Sequence, residues 1–244
     1  SITGPDANTP TRAGIPIGDL GSGLYGVIGI LSALLSREKT NVGQHIDMSL
    51  LDVQISLLTY MATMQTLSNI DPEPIGNAHF VHVPYNSFTT ANGFVVIAVI
   101  TDAFWEALLE VVNIDSLKDP KFSKSVDRLK NQEFIESELN KELSTKSSEH
   151  WIKALNNAKV PCAPINTFSQ ALSDEQVIHR NMVVEVEHPD GGKVKMPGNP
   201  VKLSYTNEDS YTPPPHLGKD TKKILQDWAG YDKDKIQALI DMNI

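Results

Sequence analysis

A carboxylate set among glycines is the feature of this sequence best suited to covalent chemistry. Residues 18–26 read Gly-Asp-Leu-Gly-Ser-Gly-Leu-Tyr-Gly, and an apolar run over residues 27–35 follows at once. Glycine lets a backbone approach a ligand closely, and the N–H groups at a helix start favour an ionised acid. An ionised and accessible Asp19 can act as a nucleophile. The same spacing also fits a plain helix N-cap, because Asp is a preferred residue at that position.

Three other arrangements are weaker candidates for chemistry. The glycines of the same stretch spell G-x-G-x-x-G but follow a loop instead of a clear strand, so they predict no dinucleotide site. His79 and His82 lie three residues apart without a Cys or carboxylate at ligand spacing, so no metal is expected. Cys162 lies between two prolines and has no evident base nearby, which indicates a structural thiol.

Two apolar helices are predicted around Asp19. The first covers residues 20–37, and the second covers residues 49–68 after a short strand at 45–48. Apolar residues in the first helix recur at three- and four-residue steps and predict a wide buried stripe. They are Leu24, Val27, Ile28, Leu31, Leu34 and Leu35.

The rest of the chain alternates hairpins with helices. Two prolines within residues 70–77 predict a lobe boundary, and turn residues predict hairpins over 85–100 and 183–196. Further helices are predicted at 102–112, 126–143, 149–158, 167–172, 220–230 and 232–242, with a proline-rich connector at 211–215.

Composition narrows the class of protein. The chain has 244 residues, 40% of them hydrophobic, with a formal net charge of −9 and a single cysteine. The acidic balance argues against a nucleic-acid surface, and one cysteine excludes an intrachain disulfide. The apolar runs are interpreted as too short and interrupted to cross a membrane. A cytoplasmic location, or the mitochondrial matrix in a eukaryote, is expected.

The stretch around Asp19 continues through residues 37–52 with Arg-Glu-Lys-Thr-Asn-Val-Gly-Gln-His-Ile-Asp-Met-Ser-Leu-Leu-Asp. Together these residues resemble the class III CoA-transferases, the group of carnitine-CoA transferase, formyl-CoA transferase and the 2-methylacyl-CoA racemases. The shared pattern is G-D-x-x-x-G, an apolar helix, T-G-x-G-Q and a second apolar helix. Further matching segments are residues 76–79, 83–85, 88–93, 160–165 and 213–218.

The resemblance implies an α/β fold, namely the C-terminal portion of an interlocked-dimer CoA-transferase with an inserted small α+β lobe. Residues 1–75 would form a large-domain segment carrying the catalytic Asp, and residues 76–180 the small domain. Residues 181–244 would form a connector and C-terminal helices that return to the large domain. A homodimer is therefore expected.

The resemblance also implies a reaction. Asp19 would attack an acyl-CoA and then hold CoA as an aspartyl thioester, before an acceptor acid takes the CoA. Gly76, Asn77, Ala78 and His79 occupy the place of an active-site flap. Acyl-CoA and a carboxylic acid are thus the expected partners, with coenzyme A as substrate, no permanently bound cofactor and no metal. Nucleic acid and membrane are not expected partners.

The resemblance favours one type of substrate and leaves two alternative functions open. Residues 182–197 and 213–218 look most like the dicarboxylate branch, typified by succinyl-CoA:glutarate CoA-transferase. A racemase is the first alternative, but its Glu position is occupied by Thr101, with Asp102 next to it. The second alternative is a catalytically incomplete chain, because the resemblance places most CoA contacts upstream of Ser1.

Overall fold

The computed structural model describes residues 2–206 and 210–242, which form two compact units, Ser1–Ile165 and Asn166–Ile244. Helices and strands are mixed in the described residues, and this confirms the predicted α/β class. The predicted division into a large-domain segment at residues 1–75, a small domain at 76–180 and a C-terminal part at 181–244 stays a prediction. The helices are α1 (Ile17–Thr40), α2 (Leu50–Leu57), α3 (Tyr60–Ser68), α4 (Asp102–Val112), α5 (Ser125–Lys130), α6 (Gln132–Leu143), α7 (Ser148–Asn157), α8 (Phe168–Leu172), α9 (Glu175–His179), α10 (Thr221–Asp227) and α11 (Lys233–Asp241). The strands are β1 (Tyr85–Thr90), β2 (Gly93–Ala98), β3 (Cys162–Pro164), β4 (Val183–Glu187) and β5 (Lys193–Pro197).

Glycines bring α2 close to α1. A Cβ added to Gly21 would lie 3.0 Å from Leu57 Cδ1 and 3.4 Å from Val53 Cγ1, and Val53 itself is buried. A Cβ at Gly18 would lie 3.1 Å from the amide carbon of Gln54. Gly18 and Gly21, which the sequence predicted to let a ligand approach the backbone, are therefore needed for the close packing of α1 and α2.

The strand predicted at residues 45–48 is not formed. This segment has no regular structure and runs along α1. A Cβ added to Gly29 would lie 3.3 Å from Ile46 Cγ2, and a Cβ added to Gly26 would lie 3.5 Å from Met48 Cε. Its apolar residues thus pack against helix glycines instead of forming a ladder with a strand.

The predicted second helix is divided into α2 and α3. Thr59, at the junction, has a φ of 50° and a ψ of −125°, a rare conformation for a β-branched residue. The N–H of Leu58 donates to the carbonyls of Ile55 and Ser56, so the last turn tightens before the chain changes direction. Apolar periodicity does not detect this break, since both halves keep the helical pattern.

The buried stripe predicted on α1 is largely exposed in this chain. Leu24 is 67% exposed and Leu35 62%, because α2 covers only the glycine side of the helix. By length and composition alone α1 is long and apolar enough to cross a bilayer. The prediction that every apolar run is too short was therefore wrong, since the helix extends beyond residues 20–37 to Ile17–Thr40. The absence of a membrane partner stays a prediction.

A three-stranded antiparallel sheet, ordered β1-β2-β3, organises the buried core of the first unit. The predicted first hairpin is confirmed, with Tyr85 opposite Ala98 and Thr90 opposite Gly93. Buried side chains from the sheet, α4, α6 and α7 form one cluster. Its members include Phe88, Ile97, Trp105, Leu108, Leu139 and Trp151.

The second unit contains the other predicted hairpin. Strands β4 and β5 pair antiparallel, with Val183 opposite Pro197 and Glu187 opposite Lys193. The turn between them has positive φ at Gly191 (100°), as a glycine permits. Two helices, α10 and α11, follow the proline-rich segment at residues 213–215.

A matched pair of glycine substitutions tests the packing of α1 on α2. We expect Gly21→Val to lower the free energy of unfolding by about 1–3 kcal/mol, because the added carbons crowd Leu57 and Val53. Gly23→Val is the control, since a Cβ there has no atom within 4 Å. Urea unfolding of both variants measures the difference. Equal loss at both positions would contradict this packing.

Candidate active site

Asp19 lies at the third position of α1, two residues inside the helix. Pro16 occupies the N-cap and offers no side-chain cap, so the interpretation of Asp19 as an N-cap is wrong. Its side chain is exposed and has no hydrogen-bond or ion-pair partner within residues 2–206 and 210–242. A carboxylate in the first turn also complements the positive end of the helix dipole. The structure therefore leaves this carboxylate accessible.

The backbone beside Asp19 carries unused donors. The first-turn bond runs from the N–H of Leu20 to the carbonyl of Pro16, at 3.0 Å. The N–H groups of Gly18 and Asp19 have no acceptor in the part of the chain that the structure describes. Unpaired donors at a helix start are suited to negative oxygen atoms.

The helix face that carries Asp19 has free space one turn further on. Gly23 is four residues away, on the same face, and a Cβ there would meet no atom within 4 Å. Ser22, by contrast, is buried and its hydroxyl donates to the Gly18 carbonyl at 2.7 Å. The hydroxyl of Ser22 is thus engaged within the first turns of the helix.

Residues 76–79 form a turn whose first two residues are hydrogen-bonded to other segments. Gly76 has a φ of 64°, and its N–H donates to the carbonyl of Gly4 at 2.9 Å. The side-chain amide of Asn77 donates to the hydroxyl of Ser87 at 2.9 Å, and the N–H of Ala78 donates to the Ile75 carbonyl. The turn is therefore anchored to the N-terminal segment and to β1.

The ring of His79 is partly buried against other rings. It stacks on Tyr85 with a centroid distance of 5.1 Å, and it lies 4.7 Å from the ring of His82. Burial, and secondarily the neighbouring His82, lower the pKa of His79 below its usual value. Periodicity and motif spacing gave no signal for the role of Tyr85 in holding this ring.

Asp19 and residues 76–79 belong to the same compact unit. Among the described residues, no hydrogen bond or ring contact joins the Asp19 side chain to that turn. The catalytic role of Asp19 and the flap role of Gly76, Asn77, Ala78 and His79 stay predictions.

Thr101 and Asp102, which lie where a racemase would carry its acidic residue, already have hydrogen-bond partners. The Thr101 hydroxyl caps α4 by accepting the N–H of Phe104 at 3.3 Å. Asp102 accepts a hydrogen bond from buried Arg128 at 2.9 Å and lies 3.7 Å from Lys124 Nζ. The hydrogen bond from Arg128, together with these two positive charges, lowers the pKa of Asp102. A carboxylate held in this way is a weak base.

Metal and thiol chemistry have little support among the described residues. No group of three or more His, Cys, Asp or Glu side chains there is arranged to hold a metal ion. Cys162 is partly buried, and that burial raises the pKa of its thiol. A thiol with a raised pKa is a poor nucleophile at neutral pH.

Comparison with known proteins supplies the family. The sequence profile of CoA-transferase family III matches residues 1–221. The chain belongs to this family. Among curated family relatives, it is 31% identical to succinyl-CoA:glutarate CoA-transferase of Mus musculus over 98% of this chain and 55% of the relative. It is 32% identical to acetyl-CoA:oxalate CoA-transferase of Acetobacter aceti over 95% of this chain and 57% of the relative.

A solved structure agrees with this family assignment. A CaiB/BaiF family protein from Brucella suis superposes with a TM-score of 0.76 and 29% sequence identity, covering 93% of this chain and 59% of that protein. The chain therefore spans somewhat more than half the length of these family III relatives. The predicted resemblance is confirmed at the level of family and fold.

Proposed function

We propose that this chain carries the nucleophile of a CoA-transferase, and that the nucleophile is Asp19. The observation that carries the proposal is an exposed carboxylate in the first turn of α1 that has no partner among the described residues, within a chain of CoA-transferase family III. Two further observations on the described residues support it, namely the lack of an acceptor for the N–H groups of Gly18 and Asp19 and the open space at Gly23.

The reaction then proceeds by exchange of activated acyl bonds. An oxygen of Asp19 attacks the thioester carbonyl, the C–S bond breaks, and CoA leaves as a thiolate with the electron pair. The thiolate attacks the Asp19 carbonyl of the resulting anhydride, which releases the donor acid and leaves an aspartyl-CoA thioester. An acceptor carboxylate reverses both steps, so neither ATP, a metal nor a permanently bound cofactor is required.

Backbone N–H groups that already lie in position before the reaction begins stabilise the negative charge of the tetrahedral intermediate. Each attack creates a tetrahedral oxyanion beside the start of α1. The N–H groups of Gly18 and Asp19 can donate to this oxygen, since neither is used within the described chain. Preorganised donors of this kind typically accelerate acyl transfer by about 100- to 1000-fold each.

We propose a dicarboxylate as the acceptor. Glutarate and oxalate are both dicarboxylic acids, and they appear in the names of two relatives about equally similar to this chain. A racemase is less well supported, because racemisation needs a base at the carbon next to the thioester. Thr101 and Asp102, at the expected position, are occupied by the cap of α4 and by Arg128.

Chemical trapping tests the nucleophile directly. The purified active enzyme is incubated with succinyl-CoA and then treated with hydroxylamine, and peptides are analysed by mass spectrometry. We expect a hydroxamate at Asp19, whereas the matched exposed carboxylate Asp52 in the first turn of α2 stays unmodified. An unmodified Asp19, together with exchange of the α-proton of an acyl-CoA, would favour the racemase.

We further propose that a second copy covers the apolar face of α1 in the active enzyme. Leu24, Ile28 and Leu35 are each more than half exposed in this chain, and a face of this kind is typical of an interface. Light scattering should give the mass of a dimer, and a stable monomer would contradict the proposal.

A polypeptide of only these 244 residues is expected to lack exchange activity, since its family relatives are nearly twice as long.

A further inference from the structure

The side-chain amide of Gln54 lies directly against Gly18, the residue before Asp19. A Cβ added to Gly18 would be 3.1 Å from the amide carbon of Gln54, 3.3 Å from its Nε2 and 3.4 Å from its Oε1. The three amide atoms therefore crowd the space that a larger residue at position 18 would need for its own Cβ. The lack of a side chain at Gly18 thus lets a polar group of α2 reach the first turn of α1.

The backbone that carries Gln54 is held in place by its neighbours on α2. Val53 is 3% exposed, and it lies with Leu57 beside Gly21 of α1. Because these two residues flank Gln54 within one turn of the helix, their packing sets the point from which the Gln54 side chain extends. The amide is therefore positioned before a ligand arrives, and a positioned group costs less ordering on binding.

Much of the hydrogen-bonding capacity of this amide is unused. Its Nε2 donates one N–H to the carbonyl of Leu50, at 3.3 Å. A primary amide has two donor hydrogens, and the second N–H has no acceptor within residues 2–206 and 210–242. The side chain is also exposed. The second N–H is thus available to a ligand that approaches the start of α1.

The amide of Gln54 and the carboxylate of Asp19 flank the same helix turn. Successive side chains of an α-helix point about 100° apart, so the amide against position 18 and the carboxylate at position 19 lie on adjacent faces. In the part of the chain that the structure describes, no hydrogen bond joins these two side chains. A molecule that reacts at Asp19 with one end can therefore extend its other end toward Gln54.

We propose that Gln54 is a specificity-determining residue, whose second Nε2–H binds the unreacted carboxylate of a dicarboxylate acceptor while the other carboxylate attacks the thioester at Asp19. The inference rests on the function proposed for Asp19. Gln54 transfers no proton and only donates a hydrogen bond, which is strengthened by the negative charge of the acceptor oxygen. A monocarboxylic acid has no group at that end to accept this bond. Gln54 therefore favours dicarboxylates over monocarboxylates.

Substitution of Gln54 tests this specificity with a matched pair of acids. Glutarate and pentanoate have equally long carbon chains and differ by one terminal carboxylate. With succinyl-CoA as donor, we expect Gln54→Met in the active enzyme to lower the ratio of kcat/KM for glutarate to that for pentanoate by about 10- to 100-fold. The loss should appear mainly as a higher KM for glutarate. Gln54→Glu should lower the ratio further, because its carboxylate repels that of glutarate.

A structural role of Gln54 predicts a different result. Disturbed packing of α1 on α2 would lower kcat/KM for both acids together and leave their ratio unchanged, which would overturn the proposal. Gln65→Met is the matched control, because Gln65 lies on α3 and lines a cavity with Leu58 and Met61. This variant should keep the wild-type ratio.

Equilibrium binding provides a readout that does not depend on turnover. In the Asp19→Asn variant with CoA present, calorimetry should show that Gln54→Met raises the Kd of glutarate at least about tenfold. An unchanged Kd would contradict the proposed contact.

The two proposals fail in different ways. If Asp19→Asn keeps its activity, the proposed nucleophile is wrong whatever Gln54 does. If Asp19→Asn is inactive while Gln54→Met keeps the wild-type ratio, only the role of Gln54 is wrong.

Discussion

Replacing Asp19 by asparagine is expected to reduce CoA exchange by at least about 1000-fold, because the amide keeps the shape of the side chain but is not a competent nucleophile. Because the Asp19 side chain is exposed and contacts no partner in the part of the chain that the structure describes, folding should be unaffected, with a change in unfolding free energy within about 0.5 kcal/mol. Exchange between succinyl-CoA and glutarate measures the first effect, and urea unfolding measures the second.

Asp52→Asn is the matched control for this experiment. Asp52 is also an exposed aspartate at the third position of a helix, α2, where its N–H donates to the Ser49 hydroxyl at 3.1 Å. Both variants lose one negative charge near a helix start, yet only Asp19→Asn should lose activity. Turnover near the wild-type level in Asp19→Asn would remove the nucleophile assignment.

The largest effect on stability is expected at Arg128. This side chain is 1% exposed and donates to three backbone carbonyls, those of Val83, Phe122 and Ser123, as well as to Asp102. Arg128→Met should lower the free energy of unfolding by about 3–5 kcal/mol, because the carbonyls and the carboxylate lose their donor. Urea unfolding followed by the fluorescence of Trp105, whose ring lies 5.3 Å from the guanidinium carbon, measures the loss.

Lys124→Met is the matched control, because Lys124 approaches the same carboxylate but is 74% exposed. Its loss should cost less than about 1 kcal/mol, as for other surface ion pairs. The pKa of Asp102 is lowered in the folded protein, so its stabilising effect is present above the ordinary pKa of a free Asp. That effect is lost as pH falls through the lowered folded-state pKa. Equal destabilisation by both substitutions would contradict this account.

The hairpin of β1 and β2 and the helix α4 that follows it illustrate what local sequence patterns can predict. Turn residues between two β-branched stretches predicted the hairpin of β1 and β2, and the Asp102 region predicted the start of α4. Such features depend on neighbours within a few residues, whose steric and hydrogen-bonding preferences act in any tertiary setting. The buried network of Arg128 had no such signal, since two of its four acceptors, the Val83 carbonyl and the Asp102 carboxylate, lie 45 and 26 residues away in the chain.

The glycine stretch shows where a sequence pattern was insufficient. Gly18 and Gly21 were interpreted as providing access for a ligand, yet they lie against Gln54, Leu57 and Val53 of α2. Only Gly23 faces open space beside Asp19. The sequence shows which positions lack a Cβ. Which group occupies the space beside each glycine is known only once α2 is placed against α1.

By itself, the sequence determined the family, the two hairpins, most helices and the identity of the carboxylate proposed for catalysis. These depend on residue types and local spacing, which the chain carries without reference to its fold. Only the tertiary structure decided that Asp19 lies inside the helix without a cap role, that Gly18 and Gly21 pack against α2, and that the His79 ring stacks on Tyr85. Those properties follow from contacts between segments far apart in the chain, because burial and hydrogen bonding depend on the atoms that surround a group.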